Sequence, residues 1–215
     1  MKKILLPLAI ASIALASGCS SVERSRSLAN PATPAKAMAL QVCSNCHSYD
    51  GNSISPNFPN LASQQVPYIE EQLKSFRKHS RSDPPGFEYM WGISRSLTDQ
   101  QIEGLAEYFH SQPLKPVGYR TGKAALLADG DKIFHAGVPA KNIPACDTCH
   151  GPHGQGNGKF PRIAGQHADY LAKQLMVFQR TNERPEGALM KVVAHDLTPQ
   201  NIAAVTAYVE TLTLK

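Results

Sequence analysis

Apolar residues recur at helical spacing in two stretches about a hundred residues apart. In "SLTDQQIEGLAEYF" (96–109), Ile102, Leu105, Ala106 and Phe109 fall on one face of a 3.6-residue period. In "DLTPQNIAAVTAYV" (196–209), Ile202, Val205 and Val209 do the same. Each stripe predicts an amphipathic helix that packs on a core and carries no chemistry of its own. The starts are marked as well. Thr98 is an N-cap with Gln101 completing a capping box, and Thr198 caps the copy with Pro199 at the first helical position. A longer pair, "NFPNLASQQVPYIEEQLKSF" (57–76) and "KFPRIAGQHADYLAKQLMVF" (159–178), matches at a constant offset of 102. Pro59 pairs with Pro161, Tyr68 with Tyr170, Leu73 with Leu175 and Phe76 with Phe178. These segments also read as helical, and no convincing alternating strand is present, so the expected class is all-α. One unit has been copied. The prolines of "SQPLKPVG" (111–118) close the first unit, giving expected domains at 36–114 and 115–215.

The N-terminus changes the picture of where the chain works. "MKKILLPLAIASIALASGCS" has two lysines, an apolar run and small residues ending at Cys19. Residues 1–18 therefore read as a secretory signal. "LASGC" resembles a bacterial lipobox, in which Cys19 becomes the lipidated first residue. The alternative is ordinary cleavage near Ala16 to Gly18. An unpaired exported thiol needs an explanation, so lipidation is the expectation. Residues 19–35 are polar with almost nothing to bury and read as a flexible tether.

Charge argues against nucleic acid. The formal net charge of +5 falls to +3 without Lys2 and Lys3, and the remaining basic residues form no run. Residues 35–114 hold six Lys/Arg against eight Asp/Glu, and residues 115–215 hold twelve against eight. The halves differ in sign, which suits orienting a protein partner.

The cysteines carry the chemistry. Besides Cys19, the chain has four, in "VCSNCHSYDGN" and "ACDTCHGPHGQGNG". Cys43 and Cys46 precede His47; Cys146 and Cys149 precede His150. C-x-x-C-H is the attachment signal for haem c. Two thiols one helical turn apart add across both vinyl groups of one porphyrin, and the next residue aims its imidazole at the iron. A zinc ribbon does not require histidine directly after both knuckles. A thioredoxin-like pair would need a βαβ context and no adjacent ligand. Two covalently attached haems are therefore expected.

A sixth iron position remains, and methionine is the residue to look for, since a thioether favours ferrous iron. Met38 lies too close to its own pentad, and Met176 faces Lys74 at the matched position. Met90 and Met190 share the offset of 100, seven or eight residues before the capping threonines, in what reads as a loop. They are the expected ligands, with core filling the plainer reading. None of His79, His110, His135, His153, His167 and His195 has a histidine at its matched position, which disfavours a shared bis-histidine design.

With these residues in hand, residues 36–215 resemble the two-haem class I c-type cytochromes, most closely the cytochrome c4 group. The carriers are the pentads, "GPHGQGN", "FPRIAGQHADYLAKQL", Met190 and "LTPQNIAAVTAYV". The resemblance implies two tandem helical domains, each around one haem. It also implies that Pro59 and Pro161 offer carbonyls to His47 and His150. The second unit has "GDKIFHAG" before its pentad, matching the family's first helix; the first has only "PAKAMALQV", so that packing must be weaker or remade. Trp91 follows Met90 where Lys191 follows Met190, a difference that suggests unequal potentials. The implied role is that of a periplasm-facing electron carrier, not an enzyme, between a quinol-oxidising complex and a terminal oxidase or reductase. A lipid anchor would confine it to a membrane surface. The alternatives are a fixed electron-transfer subunit of an oxidase or dehydrogenase complex, and a dihaem peroxidase-like enzyme.

Overall fold

The structure, a computed structural model, describes residues 29–117 and 124–214. The expected signal segment, Cys19 and the greater part of the expected tether lie outside the described residues. Helix is the regular element throughout. Among the described residues extended chain pairs only in two isolated bridges, Val138 with Ile143 and Asn157 with Phe160. In the first unit, α1 (Ala35–Met38) runs through a π-helical turn (Ala39–Cys43) into α2 (Ser44–His47). After α3 (Val66–Arg77) a second π-helical turn (Gly86–Met90) leads into α4 (Trp91–Ser94), and α5 (Asp99–His110) comes next. The second unit has α6 (Ala124–Ala136), α7 (Asp147–His150), α8 (Ala168–Arg180), α9 (Ala188–Ala194) and α10 (Pro199–Thr211).

Both expected caps form. The Gln101 N–H donates to Thr98 Oγ1 and the Thr98 N–H to Gln101 Oε1, at 3.2 and 3.0 Å. In the copy Asn201, rather than a glutamine, completes the box with Thr198, at 3.1 Å both ways. The predicted stripes face the cores. Ile102, Leu105, Ala106 and Phe109 pack with Met38, Ile69 and Leu97. Val205 and Val209 pack with Ile133 and Phe134, and Ile202 with Phe178 and Leu197.

The longer repeated segments are helical only in their second halves. Residues 57–65 and 159–167 are irregular, because their backbone donors are spent elsewhere. Leu61 and Ala62 N–H both donate to the Gly51 carbonyl, at 2.7 and 3.1 Å, and Ile163 and Ala164 N–H to the Gly154 carbonyl, at 2.8 and 2.9 Å. Two N–H groups turned on one carbonyl are incompatible with a helical ladder. They pin the loop to the residues just after each pentad.

The first-helix contact is remade by moving the glycine. In the second unit α6 crosses α10 so closely that a Cβ on Gly130 would fall on the Ala204 carbonyl, and within 2.6 Å of Tyr208 Cβ. Phe134 is fully buried beside it, with its ring 5.6 Å from that of Tyr208. In the first unit the short α1 meets α5 instead, and the glycine sits on the last helix: a Cβ on Gly104 would lie 2.6 Å from Ala35 Cβ. Gly104 and Ala204 occupy matched positions. The expected tether is also fastened at its end, where Gln101 Nε2 donates to the Asn30 and Thr33 carbonyls.

The units meet like with like. Arg81 bonds Asp83 and Gln72, at 2.8 and 2.5 Å, and lies over the Phe76 ring. Arg184 bonds Glu186 and Gln174, at 3.2 and 2.5 Å, and lies over the Phe178 ring. The two sets interlock: Arg184 Nη2 also reaches Gln72 Oε1 at 2.9 Å and the Tyr68 hydroxyl at 3.2 Å, and Gln174 Nε2 donates to Asp83 Oδ2 at 3.2 Å. The Ser82 N–H donates to the Glu183 carbonyl at 2.8 Å.

Methyl groups at the two crossings are expected to be costly. Gly130→Ala and Gly104→Ala should each lower stability by about 1–3 kcal/mol through overpacking. Gly92→Ala, where a Cβ meets nothing within 4 Å, should leave it unchanged or raise it. Chemical-denaturation midpoints tracked by far-ultraviolet circular dichroism check all three.

Candidate functional site

Each pentad forms a single helical turn, and the backbone immediately after that turn holds its histidine in place. The turn ends because the next residue takes a left-handed backbone, Ser48 at φ 62° and Gly151 at φ 81°. The chain then doubles back, with Gly51 and Gly154 at φ 73° and 67°, a region where glycine is at ease. Their carbonyls capture the N–H groups of the returning loop and so bring Pro59 and Pro161 under the two imidazoles. His47 Nδ1–H donates to the Pro59 carbonyl at 2.9 Å, and His150 Nδ1–H to the Pro161 carbonyl at 2.9 Å. Both rings are buried, 8% and 7% exposed. Burial pulls both imidazoles below their ordinary range, against the opposing pull of the carbonyl bond, so each is neutral near pH 7. With Nδ1 carrying the proton, Nε2 presents its lone pair. Phe58 and Phe160 stand edge-on to the rings at 6.1 and 6.4 Å.

Cys43, Cys46, Cys146 and Cys149 form no disulfide, and all are half-buried. Before attachment, burial pushes the Cys43 and Cys146 thiols up to about 11. The four thiols do not converge. Among the described residues no cluster of three or more His, Cys, Asp or Glu side chains could hold a metal ion by itself. The donor set therefore does not fit a zinc ribbon. It fits a metal brought in a macrocycle that supplies four ligands of its own. A further feature fits the same group. Arg162 is 1% exposed; among the described residues it faces no carboxylate, it bonds the Asn60 and Ala164 carbonyls, and its buried Nε has no partner. Burial lowers this guanidinium to about 10. A buried cation with an open donor is suited to the propionate carboxylates that haem carries.

Met90 and Met190 stand at equivalent, half-buried places, but not in loops. Met90 ends the π-helical turn before α4, and Met190 lies within α9. The helical fragments form because the preceding segment is anchored. Trp91 Nε1 donates to the Arg81 carbonyl at 2.7 Å with its ring stacked on His79 at 4.2 Å. At the matched position Lys191 Nζ bonds Asn182 Oδ1 at 2.5 Å. Two different side chains thus tie down the same turn. Met190 packs beside Phe178 and Leu197, whereas Met38 is fully in the first core.

A pair of glutamines went unread in the sequence. Gln64 and Gln166, 4% and 3% exposed, share the offset of 102 and each reaches into the other unit. Gln166 Oε1 accepts the Asn60 N–H at 2.7 Å and its Nε2 donates to the Asn60 carbonyl at 3.0 Å. Gln64 Oε1 accepts the Arg162 N–H at 2.7 Å and its Nε2 donates to the Arg162 carbonyl at 2.9 Å. Their matched places in the repeat were the signal that could have drawn attention to them. The residues after the first pentad serve another end: Asp50 pairs with Lys115 at 2.5 Å and Asn52 bonds the Lys115 N–H and the Pro113 carbonyl. "SYDGN" thereby fastens the connection between the units.

Comparison with known proteins agrees with this geometry. A family model described as cytochrome c matches residues 32–113 and 127–213. The chain is 40% identical to a cytochrome c4 of Stutzerimonas stutzeri, over 80% of this chain and 85% of that protein. It is 39% identical to a cytochrome c-552 of Acidithiobacillus ferridurans, over 83% of this chain and 77% of that protein. The solved structure of Acidithiobacillus ferrooxidans cytochrome c4 superposes with a TM-score of 0.73 at 38% identity, covering 79% of this chain and 98% of that one.

The Arg81–Asp83 pair beside the Met90 turn sets a pH dependence. Burial by itself raises the Asp83 carboxyl, but hydrogen bonding and charge from Arg81 outweigh it and hold the carboxyl below its ordinary range. A depressed folded value adds stability above the ordinary carboxylate pKa of about 4, and that stability is lost as pH falls through the lower folded value. Asp83→Asn should cost about 3–5 kcal/mol at pH 7 by stranding a buried guanidinium. Its denaturation midpoint should then fall less than that of the unaltered protein between neutral and strongly acidic pH.

Proposed function

The chain belongs to the cytochrome c family, in its two-haem c4 group, and from that premise we propose that it is a periplasm-facing carrier that relays electrons between two redox proteins. It binds two covalently attached haem c groups and is an electron-transfer protein rather than an enzyme. Cys43 and Cys46 hold one haem, Cys146 and Cys149 the other. His47 and Met90 would hold the first iron, and His150 and Met190 the second. The bound haems supply one-electron iron chemistry. The protein keeps each imidazole neutral and fixed in rotation through Pro59 or Pro161, and seats each methionine on an anchored helical turn. Ligands held this rigidly change little between oxidation states. With two protein ligands held to each iron, a substrate would find no open place there.

The observation that carries this reading is the duplication of a complete set: pentad, proline carbonyl and methionine turn recur in both units. A peroxidase-like enzyme would need one iron with an openable position, whereas both methionine turns are anchored, one through Trp91 and the other through Lys191. Donor and acceptor are a quinol-oxidising complex and a terminal oxidase or reductase. The excess of acidic side chains on the first unit and of basic ones on the second favours docking each partner at a different end. Residues 1–18 direct export, Cys19 carries the lipid and residues 19–35 tether units that span 36–114 and 115–215.

A pyridine-haemochrome assay against protein concentration should give two haems per chain. The ferric protein should show the weak far-red band of iron–sulfur ligation, and the ferrous protein should not take up carbon monoxide. Met90→Ala or Met190→Ala should each remove about half of that band and open one haem to carbon monoxide. Carbon monoxide binding at both haems of the unaltered protein would refute the closed-site reading.

A further inference from the structure

The peptide group that orients each proximal histidine is held from the other unit. The Pro59–Asn60 peptide accepts the His47 Nδ1–H on its carbonyl and donates its N–H to Gln166 Oε1. The Pro161–Arg162 peptide accepts the His150 Nδ1–H and donates its N–H to Gln64 Oε1. Carbonyl and N–H here belong to one conjugated amide plane. An acceptor on the N–H side polarises the amide and makes its oxygen a stronger acceptor, so the two bonds reinforce each other. The glutamine bonds, both 2.7 Å, lie at the short end for N–H···O and are fully buried, where such effects are largest.

Each glutamine is fixed so that this acceptor cannot turn away. Its Nε2 is held by the carbonyl of the same clamped residue, and its Oε1 also accepts the next backbone N–H, Gln65 for Gln64 and His167 for Gln166, at 3.0 and 3.1 Å. An arrangement needed only to dock the units would not have to end on the histidine-bearing peptide. Docking is served separately by the cluster of Gln72, Gln174, Arg81 and Arg184, which touches neither of these peptides.

We infer that Gln64 and Gln166 are crossed positioning residues: each strengthens the bond that makes the other unit's proximal imidazole a better donor to iron, and so lowers the potential of the haem across the interface. The inference rests on the assignment of His47 and His150 as iron ligands. A more basic imidazole stabilises the ferric state, which gives the sign. It also makes each potential depend on contact between the units, since separating them removes the acceptor.

The test is a pair of redox titrations on the holoprotein, with the haem methyl signals in proton NMR monitored through the titration. Signals displaced by Met90→Ala mark the first haem. Gln166→Met should raise the potential of the first haem with a smaller change at the second, and Gln64→Met should do the reverse. Exchange of the proximal Nδ1–H with deuterium should quicken in the unit opposite the substitution. Gln174→Met, which loosens the interface away from both peptides, should leave the two potentials near their original values. The inference is overturned if each substitution moves its own unit's haem, if neither potential moves, or if Gln174→Met shifts the first haem as much as Gln166→Met does. A glutamine variant that fails to retain both haems is replaced by Gln→Glu at the same position, which keeps the acceptor and should lower the opposite potential. Fewer than two haems in the unaltered protein would refute the functional reading itself, whereas unmoved potentials in a two-haem protein refute only the relay.

Discussion

A neutral imidazole buried with its Nδ1 proton given to a proline carbonyl is the constraint on which the rest of the molecule turns. It decides the tautomer, the rotation of the ring and the nitrogen left to face a metal. It also demands an odd piece of backbone. The acceptor must come from a residue whose own N–H is not needed in a ladder, which proline satisfies. That residue must sit under a helical turn twelve residues earlier in one unit and eleven in the other. The chain reaches that place by turning left-handed just after the pentad and using one glycine carbonyl, at Gly51 or Gly154, to capture two consecutive N–H groups of the returning loop. The irregular stretches are therefore as specified as the helices.

The comparison of the two copies separates what the site requires from what merely supports it. Tautomer, proline, aromatic edge and methionine turn recur in both. The supports do not. The close helix crossing takes its glycine from α6 in one unit and from α5 in the other. The distal turn is tied by an indole in one unit and an ammonium in the other. Such substitutions preserve a distance while changing the local dielectric and charge, and two haems in matched folds need not share a potential.

The interface between the copies is polar and buried. Buried guanidinium and amide groups tolerate this only when their hydrogen bonds are met, and nearly all of them are. Arg162 Nε and Asn60 Oδ1 are the exceptions, and among the described residues Arg162 forms no ion pair with a carboxylate. A contact built from interlocking amides has few satisfactory arrangements, so it fixes the mutual placement of the two sites more narrowly than an apolar patch would.

Much of this was legible along the chain. The pentads, the offset of the repeat, the two capping threonines and the apolar stripes are local patterns. Local patterns survive in sequence because each is enforced within a few turns of backbone. The prediction of helix for residues 57–65 and 159–167 failed because proline and apolar spacing do not reveal that backbone donors have been captured by a distant glycine carbonyl. The methionine loops turned out helical for a similar reason, their anchors being Arg81 and Asn182 rather than neighbours in the chain. The sequence alone determined that two thiol pairs with adjacent histidines exist in a duplicated helical protein. Only the tertiary structure decided that Gln64 and Gln166 cross between units to the peptides beneath those histidines. Hydrogen bonds between residues a hundred positions apart leave no periodicity to read.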